Sequence, residues 1–96
     1  MNVVRTRRAN RDMLSIYAFI AEHNAAAAER VAAAFNHRFA QLSALPYLGR
    51  ERPEFGPGIR TLLSGNHLIF YRVGPERITV LRVIDGRMDV EAEFKR

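Results

Sequence analysis

The first half of the chain repeats apolar residues every three or four positions, which is the spacing of one helical face. Thr6 and Asn24 stand where a side-chain oxygen caps a new helix, and Pro46 stops the second helix. We therefore predict two helices, the first ending near residues 22–23, that pack as an antiparallel hairpin. Their apolar positions are Ala9, Met13, Ile16, Tyr17 and Ile20 in the first, and Ala28, Val31, Phe35, Phe39, Leu42 and Leu45 in the second.

The second half changes to alternating apolar and polar positions, which is typical of strands. Residues 59–64, 68–73 and 78–84 are predicted strands, separated by turn residues at 64–66 and 74–76. The adjacent valines within residues 2–6 predict a further strand, and the prolines and glycines of residues 47–58 predict a loop. The expected fold class is α+β, in the order β-α-α-β-β-β, with the helical hairpin packed on one face of a small antiparallel sheet.

Pairing parity sorts the side chains of the last two strands into two sets, provided that their turn holds two or four residues. Both sets are mainly apolar, and one hairpin covers only one face. The pattern therefore predicts an exposed apolar face that binds a partner. The alternatives are that the long loop or the C-terminal tail covers this face, or that the strands are more twisted. The sets are Ile69, Tyr71, Val73, Ile78, Val80, Arg82 and Ile84, and Leu68, Phe70, Arg72, Thr79, Leu81 and Val83.

Length and composition describe a small folded protein. With 96 residues, the chain is expected to form a single domain over residues 1–96. A hydrophobic fraction of 48% with 26% charged residues excludes a disordered chain. No apolar run is long enough to span a bilayer, and the N-terminus does not have the pattern of a signal peptide. Cysteine is absent, which excludes disulfides and thiol chemistry and agrees with an expected cytoplasmic location.

The charge balance favours an acidic partner. Fifteen Lys and Arg residues against ten acidic ones give a net charge of +5, and only Lys95 is a lysine. The arginine preference is equally explained by a GC-rich genome, but the net charge is not. The candidates for binding carboxylates are the arginines on or beside the sheet. These are Arg60, Arg72, Arg82 and Arg87, with internal ion pairs to Asp85, Asp89, Glu91 or Glu93 as the alternative.

No catalytic or metal-binding constellation stands out. The three histidines lack metal-ligand spacing, and no serine or threonine has a nucleophile motif or partner base. His67 is the only candidate for proton transfer, although a solvated or hydrogen-bonded strand residue is the favoured interpretation. We therefore predict no catalytic residue, no metal and no cofactor.

Four segments together resemble a known family. Residues 60–73 follow the pattern R-x-L-x-x-G-x-x-L-I-F-Y-R-V, and residues 80–84 follow at the right distance. Residues 12–22 are similar to the first helix of that family, and residues 46–50 to its P-x-x-G-R loop. The chain thus resembles the ParE toxins of the RelE/ParE superfamily across nearly its whole length.

The resemblance implies a toxin of a type II toxin–antitoxin system that inhibits DNA gyrase. It also implies a ParD-like antitoxin, a ribbon-helix-helix protein with an acidic C-terminal segment, through which any contact with DNA is indirect. Residues 85–96 have no strong period and resemble the mobile C-terminal segment that these toxins need. The expected antitoxin-binding residues are Met13, Tyr17, Arg60, Phe70, Arg72, Val80 and Arg82, and the expected gyrase-binding residues are Arg87, Met88 and Phe94.

Two other functions remain open within the superfamily. RelE-like members are ribosome-dependent mRNA endonucleases that use a cluster of basic residues and a C-terminal tyrosine. Here Arg60 matches one basic position, but Gly58 and residues 66–68 replace others, and Phe94 stands where the tyrosine would help. A non-toxic, degenerate member of the complex is the other alternative. This chain also has Asp85 and Gly86 where ParE toxins often carry His-Gly.

Overall fold

Both predicted helices form, and the predicted caps set where they begin. In a computed structural model that describes all 96 residues, strand β1 (Asn2–Arg5) leads into helix α1 (Arg7–Ala21), and helix α2 (Ala25–Ala44) follows. The Ala9 amide donates to the Thr6 hydroxyl at 3.0 Å, and the Ala27 amide donates to the Asn24 side chain at 3.0 Å. These bonds satisfy amides that the first turn of each helix leaves free. Neither helix is both long and apolar enough to cross a bilayer.

The three predicted strands of the second half are confirmed as β3 (Ile59–Ser64), β4 (His67–Val73) and β5 (Arg77–Asp85). Two short elements were not predicted, namely strand β2 (Arg50–Glu51) and helix α3 (Val90–Lys95). The sheet order is β1-β5-β4-β3-β2. The sheet is mixed rather than purely antiparallel, because β1 runs parallel to β5. A parallel pair needs a crossover connection, and the rest of the chain between the two strands provides it.

The helical hairpin covers one face of the sheet, which we call the helix-covered face. Nine buried residues form its core, to which α2 contributes three large side chains. Tyr71 extends this core to the loop after α2, since the Gly49 amide donates to its hydroxyl at 2.7 Å. A Cβ at Gly49 would lie 2.6 Å from the Thr61 carbonyl oxygen, so only glycine fits this approach. The nine residues are Ala9, Phe35, Phe39, Leu42, Ile69, Tyr71, Ile78, Val80 and Val83.

A β-bulge corrects the predicted division of side chains between the two faces. Phe70 pairs with Arg82 whereas Tyr71 pairs with Val80, so Leu81 is an extra residue in β5. An extra residue reverses the side-chain alternation beyond it. The prediction was therefore wrong for three positions: Val83 lies in the helix-covered core, and Arg82 and Ile84 lie on the opposite side.

The opposite face, which we call the reverse face, is not an open apolar surface as predicted. The core of this face consists of Ile59, Phe70 and Ile84. Phe55, from a 3₁₀ turn in the loop, and Phe94 of α3 cover Phe70, with ring centroids 5.0 and 4.8 Å from its ring. The alternative that the long loop and the tail fold over this face is therefore correct.

The C-terminal segment is held as a helix by a buried ion pair. The Arg82 Nε donates to the Asp12 carboxylate at 2.7 Å, and Arg82 Nη1 donates to the Glu93 carbonyl at 2.7 Å. Asp12 also accepts the Val83 amide at 3.0 Å, on the edge of β5 that β1 does not reach. Together with Phe94, these bonds fix α3 against the sheet, so the prediction of a segment without regular structure was wrong for α3.

Candidate partner-binding site

An open apolar trough lies at the end of the helix-covered face, between α1 and the residues that follow β5. A cavity of about 360 Å³ occupies it, and a second cavity of about 360 Å³ adjoins it beside Arg30 and Asn66. Phe19 is 68% exposed and Met88 is 51% exposed, which is unusual for side chains of this size. The trough residues are Ser15, Ile16, Phe19, Ile20, His67, Asp85, Arg87 and Met88.

The turn after β5 positions the polar residues of the trough, Asp85 and Arg87. The Gly86 amide donates to the Asn66 carbonyl at 2.7 Å, and the Met88 amide donates to the Asp85 carbonyl at 3.1 Å. These bonds tie the turn to the β3–β4 hairpin, whose Gly65 adopts the left-handed conformation at φ 59°. Met88 is thereby directed toward α1, where Phe19 follows Ile16 by three positions and lies on the same side of the helix.

A fixed ion pair lies beside these apolar walls. Arg87 binds Asp85 through both Nε and Nη2, at 3.0 and 2.7 Å, and its backbone amide donates to the same carboxylate at 2.9 Å. These hydrogen bonds from the Arg87 side chain and backbone lower the pKa of Asp85 to about 2. They also raise the pKa of Arg87, so both groups are charged at neutral pH.

His67 forms the floor of the trough in its neutral state. Burial lowers its pKa below 6.5, Asp85 opposes this shift, and Arg87 adds to it. The ring packs edge-on against Phe35 of the core, with 5.4 Å between centroids. The trough therefore combines an apolar surface with one fixed ion pair and a neutral, largely buried imidazole. This combination suits the binding of an apolar side chain next to a polar group.

The residues predicted to bind gyrase are only partly brought together. Arg87 and Met88 both line the trough. The side chain of Arg87 is 72% exposed, and Met88 as a whole residue is 51% exposed. Phe94 is separate from them, because its ring is packed between Phe55 and Phe70 on the reverse face. Phe94 therefore does not lie on the surface that Arg87 and Met88 form, and its contact with gyrase stays a prediction.

Three of the residues predicted to bind the antitoxin are buried inside the chain. Phe70 and Val80 have no exposed surface, and Arg82 is 7% exposed. Phe70 and Val80 belong to the two opposite cores, and Arg82 is bound to Asp12 and α3. In this structure they do not line an open groove, and their contact with the antitoxin stays a prediction.

The other four predicted residues lie at separate places. Met13 packs against the helix-covered core, and the Tyr17 hydroxyl donates to Glu29 of α2. Arg60 donates to the Gly49 carbonyl at 2.8 Å and lies over the Tyr47 ring, while Arg72 is exposed and donates to the Pro57 carbonyl. The structure thus gives these side chains internal contacts and does not form one groove from them.

Three important residues were not predicted, and the sequence carries only weak signals for them. Asp12 is a carboxylate beside the apolar stripe of α1, next to Met13 in sequence. Phe55 is the one large apolar residue among the polar, proline and glycine residues 50–58. Phe19 stands outside the apolar spacing of α1, and its exposure marks it as part of a binding surface.

Comparisons with known proteins agree with this fold along nearly the whole chain. The sequence model of the family described as "ParE toxin of type II toxin-antitoxin system, parDE" matches residues 3–90. Toxin ParE3 of Caulobacter vibrioides is 36% identical over 96% of this chain and 93% of its own length. Toxin ParE1 of Mycobacterium tuberculosis is 42% identical over 67% of this chain and 66% of its own length.

A solved structure extends the agreement to three dimensions. It is described as the chromosomal ParDE TA system from P. aeruginosa, and it superposes with a TM-score of 0.76 at 25% sequence identity. The match covers 88% of this chain and 95% of the other. The resemblance found in the sequence is thereby confirmed, and the chain belongs to the ParE toxin family of parDE type II toxin–antitoxin systems.

Proposed function

We propose that this chain inhibits DNA gyrase by binding to it, without catalysing a reaction of its own, and that a ParD-type antitoxin neutralises it. Membership of the ParE family supports both parts. A similar solved structure is described as a ParDE system, which supports a ParD-type partner for this chain as well. The trough is the observation that carries the binding mechanism.

The trough has the properties of a protein-binding surface. Phe19 and Met88 are large, exposed and adjacent to the same cavity. A side chain from a partner would displace water from both of them, which favours association. The fixed Asp85–Arg87 pair on the rim gives such a partner a polar feature for orientation. Arg87 and Met88 are therefore our proposed gyrase contacts, together with Phe19.

The residues at the positions that RelE-like toxins use for RNA cleavage favour the gyrase-binding function over the endonuclease function. Arg60, the one matching basic position of RelE-like toxins, is engaged with the Gly49 carbonyl and the Tyr47 ring. Phe94, at the position where a tyrosine would help, has no ionisable group and contacts Phe55 and Phe70. Metal-free RNA cleavage needs free groups that take up and donate protons near the phosphate. These two positions supply none.

A supercoiling assay tests the proposal. The free chain, added in stoichiometric excess over gyrase and relaxed plasmid, is expected to block supercoiling, and adding the antitoxin first is expected to restore it. Phe19→Asp places a charge on the apolar wall of the trough and is expected to weaken inhibition by about tenfold or more.

Leu14→Asp is the matched control, because Leu14 lies on the same helix, is 69% exposed and does not line the trough. Its inhibition is expected to equal that of the unchanged chain. Normal supercoiling in the presence of the free, folded chain would overturn the proposed function. Equal loss in both variants would leave gyrase as the target but reject the trough as the contact surface. Codon-phased cuts in mRNA from expressing cells would instead establish an endonuclease.

A further inference from the structure

The first residues of the chain concentrate positive charge at the start of α1. Residues 1–11 contain four arginines and no acidic residue, although the whole chain has ten acids. Arg7 and Arg11 are exposed and lie four positions apart, so they occupy the same side of α1. Ala9, midway between them in sequence, is fully buried. Because two residues correspond to slightly more than half a helical turn, this side faces away from the core.

The C-terminal helix adds two more basic residues to this surface. Arg8 Nη1 donates to the backbone oxygen of Arg96 at 3.1 Å, which places the end of α3 beside the first turn of α1. Lys95 is exposed, and the side chain of Arg96 is 70% exposed. The bonds of Arg82 to Asp12 and to α3 hold the two helices in this arrangement. We call the surface formed by Arg7, Arg8, Arg11, Lys95 and Arg96 the basic end.

The acidic residues of α1 and α3 leave most of this charge uncompensated. Asp12 is bound by Arg82 at 2.7 Å, and Glu93 is bound by Arg96 at 2.9 Å. Glu91 is exposed and forms no ion pair, and it belongs to the first turn of α3. Three side chains of the basic end form no ion pair with any acidic residue. These unpaired side chains are Arg7, Arg11 and Lys95.

The arrangement of these charges is unfavourable for α1 itself. The helix dipole favours acidic side chains in the first turn, and α1 has none there. Like charges four positions apart, as in Arg7 and Arg11, also destabilise a helix. Residues that break such local rules are expected at sites that serve a function. The basic end is therefore better explained by a negatively charged partner than by the stability of the fold.

We propose that the basic end binds the phosphate backbone of duplex DNA without recognising its base sequence. Arginine and lysine side chains that contact phosphates supply affinity but no sequence information. Single strands are bound through exposed aromatic side chains that stack on bases, and the basic end contains none. The choice of duplex DNA rests on the proposed function, because gyrase acts on duplex DNA. The contact is direct, in contrast to the indirect contact with DNA that the family resemblance implies.

An acidic protein is a less suitable partner for this surface. Specific protein interfaces have an apolar centre with charged residues around it. The five side chains of the basic end are all basic, so they provide no apolar centre. Leu14 is exposed one turn after Arg11, but single exposed apolar residues are common on protein surfaces. A row of phosphates matches the basic end without an apolar contact.

The test is a titration of a short, fluorescently labelled DNA duplex with the free, full-length chain, followed by anisotropy. The affinity is expected to fall as the salt concentration rises. The slope of log K against log salt concentration is expected to be about −3, because each of the three unpaired side chains contributes about −0.9. A duplex of unrelated sequence is expected to bind equally well, since phosphate contacts do not depend on the bases.

The double variant Arg7→Glu/Arg11→Glu removes two of the three unpaired charges. It is expected to weaken duplex binding by at least about tenfold and to change the slope from about −3 to about −1. Glutamate near the start of α1 agrees with the helix dipole, so the variant is expected to fold, which circular dichroism checks. Arg7→Lys/Arg11→Lys keeps both charges and is expected to bind the duplex within about threefold of the unchanged chain.

Arg50→Glu/Arg72→Glu is the matched control. Arg50 and Arg72 are exposed, form no ion pair and belong to β2 and β4, outside the basic end. Each Glu double variant lowers the net charge by four, from +5 to +1. The control is expected to keep the steep salt dependence that the basic-end variant loses. Equal loss of binding in both variants would show attraction by net charge alone and reject the basic end as the site.

Other results would also contradict the proposal. The free chain could fail to bind the duplex even at low salt, or it could bind single-stranded RNA more tightly than duplex DNA. Arg7→Glu/Arg11→Glu could instead lose affinity for gyrase in the absence of DNA, which would assign the basic end to a protein contact. The titration contains no gyrase, so these results leave the proposed inhibition of gyrase standing. A chain that binds the duplex but does not inhibit gyrase would count against the proposed function alone.

Discussion

The two faces of the sheet are both apolar and both covered, but by very different means. On the helix-covered face, two helices of 15 and 20 residues bury a core of nine residues. On the reverse face, a three-residue turn and a six-residue helix cover a core of three. Long amphipathic helices bury enough apolar surface to be stable in place. The short cover depends instead on a few specific contacts, above all Arg82 with Asp12 and Phe94 with Phe70.

The unequal covers indicate which part of the chain opens first. Local unfolding occurs where few buried apolar contacts hold a segment. We therefore expect α3 to separate from the reverse face at a lower free energy than α2 separates from the other face. The contacts of Arg82 also span both regions, because it donates to Asp12 of α1 and to the backbone carbonyls of Glu93 and Phe94 in α3. Changes at Arg82 and Asp12 are thus expected to affect the whole domain, and changes at Phe94 mainly α3.

Asp12→Ala is expected to have the largest effect. Both partners of the ion pair are largely buried, with side-chain exposures of 12% and 8%, and removing the carboxylate leaves the Arg82 charge unpaired. The expected decrease in the free energy of unfolding is about 3–5 kcal/mol, measured by urea denaturation. The Val83 amide is also left without its acceptor.

Arg8→Ala is the control for this prediction, since its 3.7 Å contact with Asp12 is more exposed and is expected to contribute less than about 1 kcal/mol. The double variant Asp12→Leu/Arg82→Met removes both charges and is expected to recover part of the stability. Equal destabilisation of Arg8→Ala and Asp12→Ala would show that the buried Asp12–Arg82 pair does not connect the helix-covered face to the reverse face.

Phe94→Ala is expected to have an intermediate and local effect. The ring is partly buried against Phe55 and Phe70, so we expect a decrease in stability of about 1–2 kcal/mol, below the range for a fully buried phenylalanine. Hydrogen exchange of the α3 amides is expected to become faster, while the slowest amides of α2 change only by the global decrease. Phe35→Ala, in the other core, is the matched control and is expected to speed exchange in both helices. Unchanged exchange in α3 would contradict the view that Phe94 holds this cover.

The sequence predicted those features that depend on local chemistry. The helix starts followed from Thr6 and Asn24, and the hairpin between β3 and β4 followed from Gly65, because caps and turns depend on neighbouring residues. The bulge at Leu81 was not predictable, since one extra residue leaves the apolar pattern intact while it exchanges the faces of Arg82 and Val83.

The long-range contacts and the trough were less predictable than the fold for a related reason. Asp12 and Arg82 are 70 residues apart, and nothing in the local sequence of either indicates the other. Phe55 and Phe94 come from a loop and a tail, where periodicity provides no signal. Met88 was predicted from the family resemblance, and Arg87 both from the resemblance and from its place among the arginines on or beside the sheet. Phe19, which lies across the trough from them, became apparent only from its exposure in the folded chain.

The smallest expected effect concerns the open end of the helix-covered face and depends on pH. Burial holds the pKa of His67 below its unfolded value of 6.5, so the folded state favours the neutral ring. The stability that depends on this neutral state is complete above the unfolded pKa. It is lost as the pH falls from about 6.5 through the lowered folded pKa.

We expect the free energy of unfolding to decrease between about pH 7 and pH 5, and the variant His67→Gln to remove this part of the pH dependence. His37→Gln, at an exposed position of α2, is the control and should retain it. NMR titration of the His67 ring measures the cause directly. A folded pKa of His67 above 6.5 would mean that the charge of Asp85 outweighs the effect of burial. The open end of the helix-covered face would then be more accessible to solvent than the structure indicates.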